Sequence, residues 1–314
     1  MTFTSPRPNR RRLTAGIALA AAAALALTAC GGDDSADGGN GDGPRVLLAV
    51  STLANPFFID MRDGAVDAAE AAGVELSIVD AQDDSATQAN QLADAVSQGF
   101  DAVVLNATDS DALTPPVNAM ANADIPVITV DRLVNNAPAE TYVASDNVEL
   151  GRLAGEALME AIGGEGEVAV LRGISGLPSS NERFQGFNEA IADYPDVEVV
   201  AAQSAEYDRA RGLDVLSNIL QGNPDIVGVF AENDEMALGG IQALGDAAGT
   251  STYVVGIDGT DDARAAIDAG TMHATVAQQA YELGKVGIEQ ALRFLDGETL
   301  DEVTVVPVEV VTKD

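Results

Sequence analysis

From residue 45 onward, short apolar runs alternate with segments whose apolar residues recur at helical spacing. The short runs are rich in Val and Ile and mostly lack polar alternation, which is typical of parallel strands buried on both faces. The predicted strands are residues 46–50, 75–79, 102–105, 127–130, 168–171, 197–201, 226–230, 253–257 and 303–311. The predicted helices are residues 57–72, 87–98, 148–162, 181–192, 209–221, 235–244 and 280–295. This alternation predicts an α/β fold built from right-handed βαβ units.

The two halves of this pattern resemble each other. In the first half a predicted strand leads to Asn106, an acidic helix start and a second strand that ends at Asp131. In the second half the same order leads from Asn233 to Asp258, and the spacing is 25 residues in both. We therefore predict two similar, doubly wound parallel-sheet lobes. Each lobe would place an Asn and an Asp at the carboxyl ends of its strands, where ligands bind in such sheets.

The first 30 residues have the features of an export signal. Four Arg precede an apolar run of about 15 residues, which is shorter than the roughly 20 residues that span a membrane. The run ends in Leu-Thr-Ala before Cys30, as in a bacterial lipobox. We predict that residues 1–29 are a signal peptide, that Cys30 is lipidated, and that residues 30–44, rich in Gly and Asp, form a tether. An ordinary signal peptide with an incidental Cys is the alternative, and the choice between Sec and Tat export stays open.

Composition and charge exclude several classes of function. The 314 residues include 16 Lys+Arg and 50 Asp+Glu, so the formal net charge is −34 and a nucleic-acid partner is not expected. The one Cys cannot form an internal disulfide or a thiolate metal site. The one His, His273, leaves little material for nucleophilic catalysis or a zinc site, and we expect it to have a structural role in a strand over residues 273–277. The length suits two domains.

Polar side chains gather at the predicted strand ends and helix starts, namely Asn106, Asp131, Arg132, Arg183, Asn233, Asp258 and Gln278. Carboxylates accept hydrogen bonds, Arg donates them and amides do both, a set that matches the vicinal hydroxyls of a small, uncharged polyol. Phe57, Phe58 and Tyr207 lie at similar turns and offer aromatic faces to a sugar ring. No glycine-rich phosphate loop is present. Each residue also has a structural alternative, because Asn and Asp often cap helices, Phe packs in cores and Arg183 could be a solvated charge.

Six stretches carry a resemblance to a known family: residues 51–58 (STLANPFF), 106–111 (NATDSD), 128–132 (ITVDR), 144–147 (ASDN), 232–239 (ENDEMALG) and 255–260 (VGIDGT). Through them the chain resembles the ribose-binding proteins, the sugar-binding subunits of bacterial ABC importers. The resemblance implies a type 1 periplasmic binding fold whose lobes are joined by a three-stranded hinge, with crossings near 145/146, 278/279 and 307/308. The lobes would then be residues 45–145 with 279–307, and residues 146–278 with 308–314.

The resemblance also implies a ligand pocket between the lobes. Its residues would be Asn55, Phe57, Phe58, Asn106, Asp131, Arg132, Ser145, Arg183, Tyr207, Asn233, Asp258 and Gln278. The two Asp would accept hydrogen bonds from sugar hydroxyls, the two Arg would donate them, the amides would complete the set and the three aromatic rings would enclose the sugar. Tyr207 is a departure, since the best-known family member has Phe there.

The function implied is that of a binding protein which captures D-ribose outside the cytoplasm and delivers it to a membrane permease with its ATPase. No enzymatic activity, cofactor or metal is expected, and the protein would be a monomer held at the membrane through Cys30. The main alternative keeps this role but changes the cargo to allose, xylose or a furanose signal such as autoinducer-2. Two other classes are less favoured alternatives: a sugar-responsive transcription repressor of the same fold, and a glycosidase using Asp131 and Asp258.

Overall fold

The structure is a computed structural model that describes residues 43–313. The signal peptide, Cys30 and most of the tether predicted above lie outside these residues. Within residues 43–313, no helix has the length and apolar character that a membrane crossing requires.

The described chain folds as three successive segments. The first contains β1 (Arg45–Val50), α1 (Pro56–Ala72), β2 (Glu75–Asp80), α2 (Ser85–Gln98), β3 (Ala102–Leu105), α3 (Thr114–Ala121), β4 (Val127–Val130) and β5 (Thr141–Ala144). The second contains α4 (Asn147–Ile162), β6 (Gly166–Arg172), α5 (Pro178–Ile191), β7 (Val197–Ser204), α6 (Arg209–Gly222), β8 (Gly228–Ala231), α7 (Asp234–Leu244), β9 (Tyr253–Asp258), α8 (Asp261–Ala269) and β10 (Ala274–Ala277). The third contains α9 (Ala280–Leu295), β11 (Val303–Val305) and β12 (Glu309–Thr312).

Two six-stranded sheets organise these elements. Their strand orders are β11-β5-β4-β3-β1-β2 and β12-β10-β9-β8-β6-β7, so each strand of one sheet has a counterpart at the same place in the other. Neighbouring strands pair in parallel except β10 and β12, which are antiparallel. The predicted fold of two similar α/β lobes is confirmed. We call the half built on the first sheet the first lobe and the other half the second lobe.

Within residues 43–313 the chain passes between the lobes three times. It leaves the first sheet after β5 and enters α4, which packs against α5 and β9 of the second lobe. It returns after β10 through α9, which packs against α1 and β4, and crosses again between β11 and β12. The hydrophobic pattern alone predicts one strand over residues 303–311, whereas the structure has β11 and β12 in different sheets, and the crossing that the resemblance implies near 307/308 falls between them. The run is interrupted at residues 306–308, which include Pro307, and a proline cannot donate to a strand ladder.

Burial of both faces explains why the strands lack polar alternation. Val46, Leu48 and Val50 of β1 belong to the core that packs beneath α1 and α9, whereas Leu47 and Ala49 belong to the core beneath α2 and α3. The second lobe has two equivalent cores, one on each face of its sheet. A parallel sheet covered by helices on both sides needs apolar residues at every strand position.

The hydrophobic pattern does not predict α3, α8 or β5, because each of these elements is short. Helix α3 begins with two consecutive prolines in its first turn, a position that tolerates them although such residues usually indicate a loop. Helix α8 has only nine residues and is capped by Thr260. Strand β5 has four residues and follows a polar loop.

Glycines let two pairs of helices touch through their backbones. In the first lobe, a Cβ on Gly284 of α9 would overlap the carbonyl oxygen of Met61 in α1, and a Cβ on Gly64 would overlap that of Tyr281. In the second lobe, Gly151 of α4 meets the backbone of α5 at Arg183 in the same way. These contacts fix α1 and α5, whose first turns reach the space between the lobes.

Candidate ligand-binding site

A small cavity lies between the carboxyl ends of the two sheets. Its wall consists of Asn55, Phe57, Phe58, Asp131, Arg132, Ser179, Arg183, Tyr207, Asn233, Asp258 and Gln278. The structure thus brings together ten of the twelve predicted pocket residues, from both lobes. The exceptions are Asn106 and Ser145.

The start of α1 forms one side of the first lobe's wall. Asn55 caps the helix, because its Oδ1 accepts a hydrogen bond of 2.9 Å from the backbone N–H of Phe57. Phe57 and Phe58 follow in the first turn with their rings edge to face, 5.2 Å between centroids. Asn55 therefore caps a helix, and Phe57 and Phe58 pack against each other, as the structural alternative expects. All three residues also line the cavity.

Asp131 and Arg132, which follow β4, form the other side of this wall. Asp131 has a left-handed backbone, with φ of 61°, and its Oδ2 lies 3.8 Å from Nε of Arg132. Both side chains are buried. Burial raises the pKa of Asp131, and the positive charges of Arg132 and Arg183 partly oppose that rise. The guanidinium of Arg132 also stacks on Phe58, with Cζ 5.0 Å from the ring centroid.

Asn106 and Ser145 lie behind the wall. The side chain of Asn106 accepts from the backbone N–H of Ser51 at 3.2 Å and donates to Oδ2 of Asp131 at 3.1 Å. It therefore orients the carboxylate of Asp131. Ser145 lies at the first crossing and donates to the carbonyl oxygen of Gln278 at 3.4 Å, which links two crossings.

In the second lobe, Arg183 of α5 is buried and is not the solvated charge of the structural alternative. Its Nε donates to Oδ1 of Asn147 at 2.9 Å and its Nη1 donates to the carbonyl oxygen of Glu232 at 2.6 Å. The carboxylate of Glu232 is itself buried and accepts from Arg172 at 3.0 Å and from the N–H of Gly173 at 2.7 Å. These bonds hold the guanidinium of Arg183 at the cavity.

Asp258 lies at the end of β9 and accepts a 2.7 Å hydrogen bond from Nε2 of Gln278. Its φ of 135° is rare for a residue with a side chain, and such backbone strain is found most often at functional sites. Burial and the neighbouring carboxylate of Asp234 raise the pKa of Asp258, and Arg183 opposes them. Asp234 accepts from Thr260 and Thr275, so it is held in place beneath Asp258.

Tyr207 and Asn233 complete the second lobe's wall. Asn233 caps α7 through a 3.0 Å bond from the N–H of Met236 and donates to the carbonyl oxygen of Tyr207 at 3.3 Å. Cζ of Arg132, from the first lobe, lies 5.6 Å from the ring centroid of Tyr207. Because this contact joins the two lobes, the cleft is closed in this structure.

Ser179 is the wall residue that sequence reasoning missed. It lies in the first turn of α5, directly after Pro178, and is buried at the cavity. The sequence offers one usable signal: a proline marks the first turn of a helix, and the first turn that follows β6 must lie at the carboxyl end of the sheet.

The charges of the wall balance. Asp131 and Asp258 oppose Arg132 and Arg183, and the remaining polar groups are amides and hydroxyls. A charged ligand would leave one buried charge without compensation, which is costly. The wall suits an uncharged ligand that offers many donors and acceptors together with an apolar face for the aromatic rings.

Comparisons with known proteins agree with this arrangement. The family model for the periplasmic binding protein domain matches residues 46–299. The ribose import binding protein of Bacillus subtilis is 41% identical over 266 residues, which cover 85% of this chain and 86% of the relative. The corresponding protein of Escherichia coli is 39% identical over 268 residues, covering 85% and 90%.

Solved structures show the same fold. A periplasmic solute-binding protein of an ABC transporter from Actinobacillus succinogenes, crystallised with bound D-allose, superposes with a TM-score of 0.81 at 34% identity. The superposition covers 86% of this chain and 97% of that protein. All three of these proteins are binding components of transport systems by description.

Proposed function

This chain belongs to the periplasmic binding protein domain family, and from that membership we propose that it captures D-ribose as the sugar-binding subunit of an ABC importer. The observation that carries the proposal is the closed, charge-balanced cavity, in which two carboxylates, two guanidiniums and three amides surround a space flanked by aromatic rings. Hydrogen bonds between sugar hydroxyls and charged groups are worth roughly 1.5–3 kcal/mol each. Micromolar affinity needs about 8 kcal/mol, so a few such bonds suffice.

Identity of about 40% to ribose import binding proteins supports ribose as the cargo. A related sugar is the second candidate, because a neighbour at 34% identity holds D-allose. Closure of the lobes around the sugar would create the shape that the permease and its ATPase recognise. We assign no enzymatic activity and no cofactor to the site, because the two Asp are accounted for by ligand binding.

Isothermal titration calorimetry with D-ribose, D-allose, D-xylose and xylitol tests the cargo. We expect one site per chain, with D-ribose bound at micromolar affinity or tighter and at least tenfold more tightly than the other three. A higher affinity for D-allose would support the second candidate. No heat with any of these sugars would contradict the proposal.

We also propose that the protein is anchored outside the cytoplasm by a lipid on Cys30. The family is periplasmic, and the lone Cys of the chain follows a signal-like segment. We expect Cys30→Ser to move the protein from the membrane fraction to the soluble fraction without changing its affinity for D-ribose. Retention of the variant in the membrane fraction would contradict the anchor. One chain supplies the whole cavity wall, so a monomer suffices, and the molar mass from light scattering checks this.

A further inference from the structure

The hydroxyl of Tyr207 is buried at the second lobe's wall without a hydrogen-bond partner among residues 43–313. Tyr207 follows β7 and has a left-handed backbone, with φ of 60°. Its ring is held between charged neighbours, since Cζ of Arg132 lies 5.6 Å and Cζ of Arg183 lies 5.8 Å from its centroid. A buried hydroxyl without a partner costs free energy, so this one calls for an explanation.

The backbone beside the hydroxyl leaves room for it but offers no bond. A Cβ on Gly173 would overlap Cζ and Oη of Tyr207, so a residue without a side chain is required there. The N–H of Gly173 donates to Glu232 at 2.7 Å and its carbonyl oxygen accepts from Ser204 at 2.6 Å, and neither group bonds to the phenol. The phenol of Tyr207 thus packs against Gly173 but forms no hydrogen bond with it.

Ser179 is a nearby residue whose hydroxyl can both accept and donate a hydrogen bond. It lines the cavity and is buried. Burial raises the pKa of the Tyr207 phenol, and Ser179 is close enough to oppose part of that rise. The phenol therefore stays protonated at neutral pH and can donate. Because a serine hydroxyl rotates freely, it can accept from one group while donating to another.

We propose that Tyr207 and Ser179 form a hydroxyl relay that selects the ligand: Oη of Tyr207 donates to Oγ of Ser179, and Oγ donates to one hydroxyl of the bound sugar. This inference rests on the proposed function. Tyr207 acts here as a positioning residue, since its hydroxyl reaches the sugar through Ser179. The ligand class is a sugar that carries a hydroxyl facing the start of α5. An analogue without that hydroxyl leaves the Oγ donor of Ser179 without an acceptor and should bind more weakly.

The test is calorimetry on wild type, Tyr207→Phe, Ser179→Ala and the double variant. The probes are D-ribose and its four analogues that lack the hydroxyl at C1, C2, C3 or C4. For D-ribose we expect Ser179→Ala to lower affinity about tenfold and Tyr207→Phe to lower it about three- to tenfold. The double variant should match Ser179→Ala, because the phenol acts only through the serine. For each analogue the readout is the ratio of the affinity for D-ribose to the affinity for that analogue. Both single variants should lower this ratio for one analogue and leave it unchanged for the other three.

Tyr194→Phe is the matched control, since Tyr194 is 37% exposed and remote from the cavity wall. It should bind every sugar as wild type does. Additive losses in the double variant, or a loss that is equal for all analogues, would overturn the relay, as would unchanged affinity in Tyr207→Phe. If wild type binds none of these sugars, the proposed function fails together with the relay. Normal wild-type binding with unaffected variants would overturn the relay alone.

Discussion

Asp258→Asn is expected to weaken D-ribose binding by about a hundredfold or more. The carboxylate is buried, one of its oxygens is held by Gln278, and the other is available to the ligand. Asn has the same shape but presents an N–H₂ group where an acceptor is needed. Two hydrogen bonds to a charged group are worth roughly 3–6 kcal/mol, which corresponds to about a hundred- to ten-thousandfold in affinity. Calorimetry with D-ribose measures the loss.

Asp268→Asn is the matched control, because Asp268 is an exposed carboxylate on α8 of the same lobe. It should leave affinity unchanged, and both variants should unfold at nearly the wild-type denaturant concentration. The pH dependence adds a second readout. Burial and Asp234 raise the pKa of Asp258, so the charged form is lost at a higher pH than for an exposed carboxyl. Wild-type affinity should therefore fall as the pH drops through that raised pKa, and Asp258→Asn should lose this part of the decline. Wild-type affinity in Asp258→Asn would refute the assignment.

Gly284→Ala is expected to lower the free energy of unfolding by about 3 kcal/mol, although Ala forms helices better than Gly. The added methyl would overlap the carbonyl oxygen of Met61, and the obstacle is backbone, which cannot rotate away. Helices α1 and α9 must then separate, and the core beneath them loosens. Sugar binding should weaken as well, because α1 carries Phe57 and Phe58. Urea denaturation and calorimetry measure the two effects.

Gly222→Ala supplies the control for helix propensity. Gly222 ends α6, and a Cβ there would meet no atom within 4 Å. This variant should be as stable as wild type or slightly more stable. If Gly284→Ala unfolds at the same urea concentration as Gly222→Ala, then the backbone contact between α1 and α9 is not a constraint and the packing argument fails.

The features that sequence predicts well here are those that repeat. Runs of Val and Ile predict buried parallel strands, and the equal spacing of Asn106 to Asp131 and Asn233 to Asp258 predicts two equivalent lobes. Because the carboxyl ends of parallel strands share one edge, the strand pattern alone assigns residues that are distant in sequence to one cleft. The short elements α3 and β5 lack this redundancy, since four to eight residues carry too little periodicity.

The direction of a single side chain is harder to predict. Asn106 and Asn233 end equivalent strands, yet Asn106 turns toward Ser51 and Asp131, whereas Asn233 lines the cavity. Ser179 and Ser180 are adjacent on α5, and only Ser179 lines the cavity, because Ser180 donates to the buried Glu232. The direction of each side chain depends on which neighbouring group in the folded protein lacks a hydrogen-bond partner. A single sequence does not contain that information.

The three crossings also set an order in time. Helix α1 ends at residue 72, but its partner α9 begins at residue 280, and the edge strands β11 and β12 follow later still. At a synthesis rate of about 5–20 residues per second, roughly 10–40 s separate the emergence of the two helices from the ribosome. The strands β6 to β10 of the second lobe, by contrast, emerge as one continuous segment. We therefore expect the first lobe to remain incomplete until synthesis is nearly finished.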